Sequence, residues 1–177
     1  SCVVLRREID ALKDELAEME KHAYHDMLTA LPNRRFFVQN LESRIARCQR
    51  YGDNCAVLFL DVDNLKKIND NHGHAAGDIV LARLAQILRS HIRMSDVAAR
   101  IGGDEFGLLL DHLDADQVEK KIAFLIDQFG KTNCTYGDHS LPFGATIGYC
   151  FVGPRDTVEG LMSRADAAMY RGKDKPL

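Results

Sequence analysis

The segment formed by residues 100–110 constrains the fold more than any other part of the sequence. It reads Arg-Ile-Gly-Gly-Asp-Glu-Phe-Gly-Leu-Leu-Leu, so that a Gly-Gly pair separates two apolar runs. Glycine accepts the positive φ that two-residue hairpin turns require, and the segment therefore predicts a tight β-hairpin. The neighbouring carboxylates of Asp104 and Glu105 would then face solvent at the end of a strand.

A second pair of carboxylates follows another strand-like segment. Residues 55–60 are apolar and rich in β-forming side chains, which predicts a buried strand, and Asp61 and Asp63 come directly after it. Because they are two residues apart, these aspartates should point to the same side. If this strand lies beside the hairpin, Asp61 and Asp104 can converge on Mg²⁺, with substrate phosphates completing its coordination. Taken alone, each acidic segment is also compatible with a solvated turn or a helix cap.

The residues after Asp63 could bind phosphate. Lys66 and Lys67 lie close to the amino end of a predicted short helix, whose free N–H groups favour anions. A P-loop and a Gly-x-Gly-x-x-Gly turn are both absent from the sequence, so a nucleotide would have to be held in another way. His72 and His74 lack the i, i+4 spacing and the nearby third ligand that a zinc site needs.

The charge and the cysteines narrow the classes of function. A formal net charge of −3 gives no general attraction to nucleic acid, so we expect no nucleic-acid partner. The five cysteines are scattered and odd in number, which indicates reduced, mostly buried thiols in a cytoplasmic protein. No apolar run approaches the ~20 residues of a membrane-spanning helix and no secretory signal is visible, so no membrane contact is expected of this piece.

The amino-terminal segment predicts a helix with a narrow apolar stripe. Apolar residues recur at alternating steps of four and three while charged residues fill the gaps; they are Leu5, Ile9, Leu12, Leu16, Met19 and Ala23. This heptad pattern favours a two-stranded coiled coil joining two copies of the chain. An amphipathic helix lying on its own domain is the alternative. Because the chain opens inside such a helix, we expect a longer protein with sensing parts upstream.

The remaining sequence alternates helices with strands. Pro32 should end the first helix and can occupy the first turn of a second, and Asp114 can cap a later helix. Strands are predicted at residues 97–101 and 106–110, in addition to residues 55–60, and a β-rich stretch covers residues 134–152. Because a hairpin interrupts the alternation, we expect an α/β (α+β) fold, with a mixed central β-sheet packed by helices.

These segments resemble the GGDEF family of diguanylate cyclases from about residue 26 to residue 173. The match rests on Asp-x-Leu-Thr-x-Leu-Pro-Asn-Arg-Arg at residues 26–35, the strand and loop at 59–78, Gly-Gly-Asp-Glu-Phe at 102–106, and Ala-Asp-Ala-Ala-Met-Tyr at 165–170. The resemblance implies a palm-like fold similar to that of nucleotidyl cyclases. It also implies that two GTP molecules, one on each of two facing domains, are joined into cyclic di-GMP with loss of two pyrophosphates.

The resemblance further implies roles for the acidic residues. Asp61 and Asp104, with the main-chain carbonyl of Val62, would hold Mg²⁺ or Mn²⁺. Asp104 matches the family's proposed acceptor for the proton of the 3′-hydroxyl, although metal or water could take that proton instead. Glu105 would support Asp104 as a neighbouring acid.

Other positions match the family's substrate contacts. Asn69 and Asp78 resemble its guanine-reading pair, because one carboxylate can accept from both N1–H and the 2-amino group, a pair of donors that adenine lacks. The remaining matches are Gly102 and Gly103, which would let the main chain approach the nucleotide, His74, which would line it, and Lys66 and Lys173, which would contact phosphate. Where the family usually continues with Gly-Arg-Asn, this chain reads Asp-Lys-Pro-Leu. Either that segment is truncated or Lys175 replaces its arginine.

Arg93 and Asp96 complete the resemblance. They form an Arg-x-x-Asp motif that five residues separate from Gly102, matching the site at which the family binds its own product as an inhibitor. Arginine suits this task because its planar fork can hold phosphate and the guanine edge bidentately. The additional arginine that the family often supplies from the following helix has no counterpart, and Lys120 and Lys121 stand there instead.

We therefore expect a product-inhibited diguanylate cyclase, with a signalling helix at residues 1–25 and a GGDEF catalytic domain at residues 26–177. It would take GTP as substrate, bind cyclic di-GMP at the inhibitory site, and form a homodimer through the N-terminal helix. It would act in the cytoplasm, as the output domain of a larger protein that could be membrane-bound. The alternative is a noncatalytic module that binds GTP or cyclic di-GMP and passes the signal to a partner.

Overall fold

The computed structural model describes residues 2–173, with the backbone alone for Lys173. Within these residues the elements are, in chain order, α1 (Cys2–Tyr24), α2 (Arg34–Tyr51), β1 (Cys55–Val62), α3 (Leu65–His72), α4 (His74–His91), β2 (Val97–Arg100), β3 (Glu105–Asp111), α5 (Ala115–Lys131), β4 (Thr135–Tyr136), β5 (His139–Ser140), β6 (Ala145–Phe151) and α6 (Val158–Lys173).

The central sheet contains four strands in the order β2-β3-β1-β6, and β4 and β5 form a separate small hairpin. The crossover from β1 to β2 skips one position, which the antiparallel strand β3 then fills. The connection from β3 to β6 passes to the other side of β1. The predicted class, helices packed against a central sheet, is confirmed. The sheet is not mixed in its strand pairs, which are all antiparallel. An isolated bridge between Asn33 and Arg100 is the one parallel pairing among residues 2–173.

The central strand β1 is buried along its whole length, because helices cover both faces of the sheet. Its side chains alternate between two cores. Leu58 and Leu60 belong to the core formed with α4 and α5, whereas Val57 and Phe59 belong to the core formed with α2 and α6. This alternation puts Asp61, the next odd position, on the face covered by α2 and α6 at the end of the strand.

Side-chain caps determine where two of the helices begin. Asn33 caps α2 by accepting a hydrogen bond from the Phe36 N–H at 3.1 Å. Pro32 lies one residue before this cap and not in the first turn of the helix, and its carbonyl accepts the Arg100 N–H at 2.9 Å. Asp114 caps α5 as predicted, in a reciprocal capping box with the third residue of the helix.

Strands β2 and β3 form the predicted hairpin, but its connection differs from the expected one. Residues 101–104 join the strands, and neither Gly102 nor Gly103 has a positive φ. The prediction of a two-residue turn with left-handed glycines is therefore wrong. The loop is held instead by two main-chain bonds, in which the N–H groups of Ile101 and Gly102 donate to the Glu105 carbonyl at 2.9 and 3.2 Å.

Helix α1 has no buried residue. The apolar stripe predicted for a coiled coil lies along it in solvent, with Leu12 63 % and Leu16 57 % exposed. The stripe therefore does not pack on the domain of its own chain. Among the helices of the described residues, none has both the length and the apolar character that crossing a membrane requires.

All five cysteines carry free thiols. Cys48, Cys55 and Cys134 are buried, Cys150 is half-buried and Cys2 is exposed. The prediction that most of the thiols are buried is confirmed.

Candidate active site

Acidic residues meet where the central strand ends beside the hairpin. Asp61 stands directly opposite Glu105 in the pairing of β1 with β3. The next residue, Val62, donates its N–H to the Asp104 carbonyl at 3.2 Å. Asp61 is buried, with 8 % of its surface exposed, whereas Asp104 is half-buried. The sheet thus brings Asp61, Val62 and Asp104 to one strand end, as the two acidic segments predicted.

Negative charge accumulates around Glu105. Burial raises the pKa of its carboxyl group, and the charges of Asp61, Asp166 and Asp104 raise it further, against the opposing charge of Arg34. Three further carboxylates thus lie close enough to perturb the ionisation of Glu105. Such a strand end favours the binding of a cation, since a bound cation would relieve the repulsion between these groups.

Asp63 has a different task from Asp61. Its carboxylate accepts a hydrogen bond from the Thr146 hydroxyl at 2.8 Å, and its N–H donates to the Gly144 carbonyl at 3.0 Å. Asp63 therefore fastens the end of β1 to the beginning of β6.

An ion pair holds the loop before Asp104. Arg100 Nη1 lies 3.2 Å from a carboxylate oxygen of Asp26. The same guanidinium donates to the Gly103 carbonyl, through Nη2 at 2.7 Å and Nε at 3.2 Å. Burial acts to raise the pKa of Asp26, but hydrogen bonds from Thr29 and the charge of Arg100 lower it overall. The turn after α1 is thus connected to the residue that precedes Asp104.

The predicted nucleotide contacts lie on α3 and α4. Lys66 is exposed in the first turn of α3, Asn69 is half-buried in the same helix, and His74 and Asp78 are exposed near the beginning of α4. These helices pack on the face of the sheet opposite to the one that Asp61 occupies. A nucleotide that touched both groups would have to extend around the end of the sheet.

Asn69 packs against Gly77, the residue before Asp78. A Cβ on Gly77 would overlap Oδ1 of Asn69 and lie 2.9 Å from its Cγ. That oxygen is buried and accepts no hydrogen bond from any residue that the structure describes. The close approach of α3 and α4 at this glycine therefore brings Asn69 next to Asp78, with one amide oxygen still to be satisfied.

Arg93 and Asp96 lie at the opposite end of β2 from the acidic group, separated from it by the four residues of that strand, roughly 13 Å. They line a cleft of about 350 Å³ together with residues of α5 that include Lys120 and Lys121. The loop closes on itself, because the Arg93 N–H donates to the Asp96 carboxylate at 3.0 Å and the Asp96 N–H donates to the Arg93 carbonyl at 3.0 Å.

The three cationic side chains of this cleft are engaged to different degrees. Lys120 forms an ion pair on the surface of α5. Lys121 donates to the His91 carbonyl at the end of α4; burial lowers its pKa, although the charge of Asp96 opposes this shift. The guanidinium of Arg93 makes no hydrogen bond or ion pair with any described residue. Arg93 is therefore available to an anionic ligand.

The acidic strand end fits a divalent cation in its chemistry. Asp61 and Asp104 provide the hard carboxylate oxygens that Mg²⁺ prefers. Within residues 2–173, no three His, Cys, Asp or Glu side chains form a group that could hold a metal ion. The protein would therefore supply only part of a coordination shell. The side chain of Lys173, predicted to contact phosphate, and Lys175 lie outside what the structure describes.

Three residues of this region had no role in the sequence reasoning. Asp166, Asp26 and Arg100 all lie in or beside motifs that supported the family resemblance, but their contacts cross large distances along the chain; Asp26 and Arg100 are 74 positions apart. The sequence signal for the ion pair between Asp26 and Arg100 was the presence of opposite charges at two predicted turns.

The chain matches the family model described as "Diguanylate cyclase, GGDEF domain" over residues 23–176. It is 40% identical over 164 residues to the diguanylate cyclase TpbB of Pseudomonas aeruginosa, an alignment that covers 92% of this chain and 38% of TpbB. It is 34% identical over 159 residues to the diguanylate cyclase DgcS of Shewanella oneidensis, covering 88% of this chain and 51% of DgcS. The chain thus spans about half or less of the length of these curated relatives.

Solved structures show the same architecture. The coiled coil and GGDEF domain of DgcB from Caulobacter crescentus, in complex with c-di-GMP, gives a TM-score of 0.91 at 25% identity, covering 97% of this chain and 92% of that chain. A variant of TpbB from Pseudomonas aeruginosa that comprises only the GGDEF domain gives 0.79 at 37% identity, covering 85% of this chain and 88% of that chain.

Proposed function

Because this chain belongs to the GGDEF family of diguanylate cyclases, we propose that it is an active member, which condenses two GTP molecules into cyclic di-GMP and releases two pyrophosphates. The main support is the position of Asp61 and Asp104 at neighbouring strand ends. Noncatalytic members usually lose carboxylates or glycines of the hairpin, and this chain retains both. An enzyme is therefore favoured over a module that only binds GTP or cyclic di-GMP.

We infer that Asp61, Asp104 and the Val62 carbonyl hold Mg²⁺ or Mn²⁺. Bound there, a divalent cation would polarise the α-phosphate and neutralise charge on the departing pyrophosphate. The chain itself contributes fixed positions for the two carboxylates, Asp61 through the central strand and Asp104 through the bonds that Arg100 makes to its loop. Glu105 supports Asp104, and the proton of the 3′-hydroxyl passes to Asp104 or to water.

We assign guanine recognition to Asn69 and Asp78. The Asp78 carboxylate can accept from N1–H and from the 2-amino group, and adenine would leave it without these donors. The packing of Asn69 against Gly77 supports this role, because it holds the Asn69 amide next to Asp78. The other proposed contacts are His74 with the nucleotide, Gly102 and Gly103 with the main chain close to it, and Lys66 and Lys173 with phosphate.

We also propose product inhibition at the cleft of Arg93 and Asp96. The free guanidinium of Arg93 and two lysines of α5 provide positive charge for the phosphates of cyclic di-GMP. A related protein with this fold, DgcB, has been crystallised with c-di-GMP. Product bound in this cleft would hold two domains in a nonproductive arrangement, and its binding would be coupled reciprocally to that of substrate.

A dimer is part of the proposal because each domain holds one GTP and the new bond joins two of them. Productive geometry then requires two domains to face each other, and the rate depends on how well they are aligned. The exposed stripe of α1 supports pairing through a coiled coil, which is the role we give to residues 1–25, with residues 26–177 as the catalytic domain. We propose that this output domain acts in the cytoplasm.

Turnover of GTP tests the proposal directly. The chain is incubated with GTP and Mg²⁺, and cyclic di-GMP and pyrophosphate are measured. Asp104→Ala should abolish turnover, whereas Asp127→Ala, which removes a surface aspartate paired with Lys131 at 2.7 Å, should not. Arg93→Ala should retain turnover and lose product inhibition. A wild-type chain that binds GTP or cyclic di-GMP without forming product would support the noncatalytic alternative.

A further inference from the structure

A buried arginine lies beneath the loop that carries Arg93 and Asp96. Arg44, in α2, has 8 % of its surface exposed, and Asp111, the last residue of β3, has 7 %. Arg44 donates to both carboxylate oxygens of Asp111, through Nε at 3.2 Å and Nη2 at 3.1 Å. Its Nη1 donates to the carbonyl and side-chain oxygens of Asn40 at 3.3 and 3.1 Å.

The remaining bond of Arg44 reaches the loop itself. Nη2 donates to the Ser95 carbonyl at 2.9 Å, so that all five N–H donors of the guanidinium have a partner. From the other side, the Asp111 N–H donates to the Asp96 carboxylate at 3.3 Å. The pair of Arg44 and Asp111 thus connects α2 and β3 to two consecutive residues of the loop.

Few other contacts fix this loop. Met94, at its apex, is fully exposed, so burial of apolar surface does not hold the apex in place. The bonds between Arg93 and Asp96 close the loop on itself but do not attach it to the domain. Its position relative to the cleft therefore depends on Arg44 and Asp111.

Stability alone does not account for this ion pair. Replacing a buried ion pair by apolar residues of similar volume is often neutral or stabilising, because desolvation of the two charges offsets their attraction. An arginine that satisfies a carboxylate and a loop carbonyl together provides something an apolar pair could not, namely a fixed loop position. A preorganised site binds more tightly because less ordering is required on binding.

We propose that Arg44 and Asp111 are positioning residues for the product site, which fix residues 93–96 so that Arg93 and Asp96 are preorganised for cyclic di-GMP. The inference rests on the proposed function, because it takes cyclic di-GMP as the ligand of the cleft. Arg44 does not line the cleft, so a change at Arg44 acts on product affinity through the loop and not through a lost contact.

Arg44→Lys is the sharpest test. Lysine keeps the charge opposite Asp111 but lacks the planar fork, so it cannot bond both carboxylate oxygens and the Ser95 carbonyl together. Calorimetric titration with cyclic di-GMP should give a Kd about tenfold weaker than that of the wild type, because the loop must then be ordered on binding. In turnover assays, the ratio of the product inhibition constant to KM for GTP should rise by the same factor.

The matched control is Arg164→Lys. Arg164 also donates to an aspartate, Asp156 at 2.7 Å, and to a main-chain carbonyl, that of Phe151 at 2.9 Å, but it has no connection to the cleft. Its substitution should leave the Kd for cyclic di-GMP unchanged.

A second variant removes both charges, so that misfolding caused by an unpaired buried charge cannot explain a loss of binding. Arg44→Met combined with Asp111→Leu leaves no unpaired charge in the core, and it should also weaken product binding. Asp111 itself lines the cleft, so the positioning role is separated from a direct contact by Arg44→Lys, which keeps Asp111. Wild-type affinity in Arg44→Lys and in this double variant would overturn the inference while leaving the proposed function intact. A wild-type chain that does not bind cyclic di-GMP would instead overturn the proposed product site, and the inference with it.

Discussion

The close packing of Gly77 against Asn69 leads to a quantitative prediction for Gly77→Ala. The new Cβ would overlap Oδ1 of Asn69 and lie 2.9 Å from its Cγ. Carbon atoms in contact stay about 3.5–4.0 Å apart, so Cγ of Asn69 must move by at least roughly 0.6–1.1 Å, and the overlapping Oδ1 must move farther. A displacement of this size is large enough to break a hydrogen bond to a bound base.

Stability and substrate affinity should respond differently to this change. Alanine is more favourable than glycine inside a helix by about 0.8–1.0 kcal/mol, which offsets the cost of moving the free end of one side chain. The free energy of unfolding should therefore change by less than about 1 kcal/mol. Loss of one hydrogen bond of about 0.5–1.5 kcal/mol should raise KM for GTP between about twofold and about tenfold.

Steady-state turnover of GTP, with ATP as competitor, measures this effect, and thermal unfolding measures stability in parallel. Gly130→Ala is the matched control, because Gly130 also lies within a helix and its added Cβ would meet nothing within 4 Å. The control should gain the same helix stability and keep the wild-type KM. If Gly77→Ala also kept the wild-type KM and the same discrimination against ATP, Asn69 would have no part in reading guanine.

Three further predictions concern the acids and the dimer. The fold raises the pKa of Glu105 above its ordinary 4.5, so the free energy of unfolding should fall as pH rises from 4.5 through the raised pKa. Glu105→Gln should therefore melt at a higher temperature than the wild type at pH 7. Equal melting temperatures of the two proteins at every pH would contradict this. The fold lowers the pKa of Asp26, so the stabilisation that its carboxylate provides is present above pH 3.8 and is lost as pH falls through the lowered pKa. Asp26→Asn should reduce the free energy of unfolding in urea by about 1–2 kcal/mol at pH 7. An unchanged free energy of unfolding at pH 7 would refute the role of the ion pair with Arg100. Replacing Leu12 and Leu16 by asparagine should yield monomers by light scattering and lower turnover, whereas equal turnover per chain at all concentrations would count against the coiled coil.

Hydrophobic periodicity was sufficient to predict most of the architecture. Residues 55–60 form a buried strand because their side chains are apolar on both faces, and the strand proved to be the central one. Asp114 could be identified as a helix cap because capping depends only on residues a few positions apart in the chain. The positions of Asp61 and Asp104 at strand ends could be predicted locally, but their meeting depended on the pairing of β1 with β3, which the sequence analysis could state only as a condition.

The interactions that could not be predicted are those between residues far apart in the chain. Arg100 could have pointed to solvent, and only the packed turn after α1 brings Asp26 within 3.2 Å of it. Arg44 lies on the buried face of α2, where an apolar residue would be expected, and its burial depends on Asp111 from another element. The turn geometry at Gly102 and Gly103 was mispredicted for a related reason, because a four-residue connection removes the need for positive φ.

Strand β1 lies between two neighbouring strands and between two layers of helices, so its amides should be among the last in the domain to exchange with deuterium. Asp61 is therefore carried by the least deformable part of the molecule. Asp104 is carried by a loop whose anchor, Arg100, also holds the segment leading from the amino-terminal helix. Movement of that helix would shift Asp104 relative to Asp61 while the sheet that carries Asp61 keeps its shape.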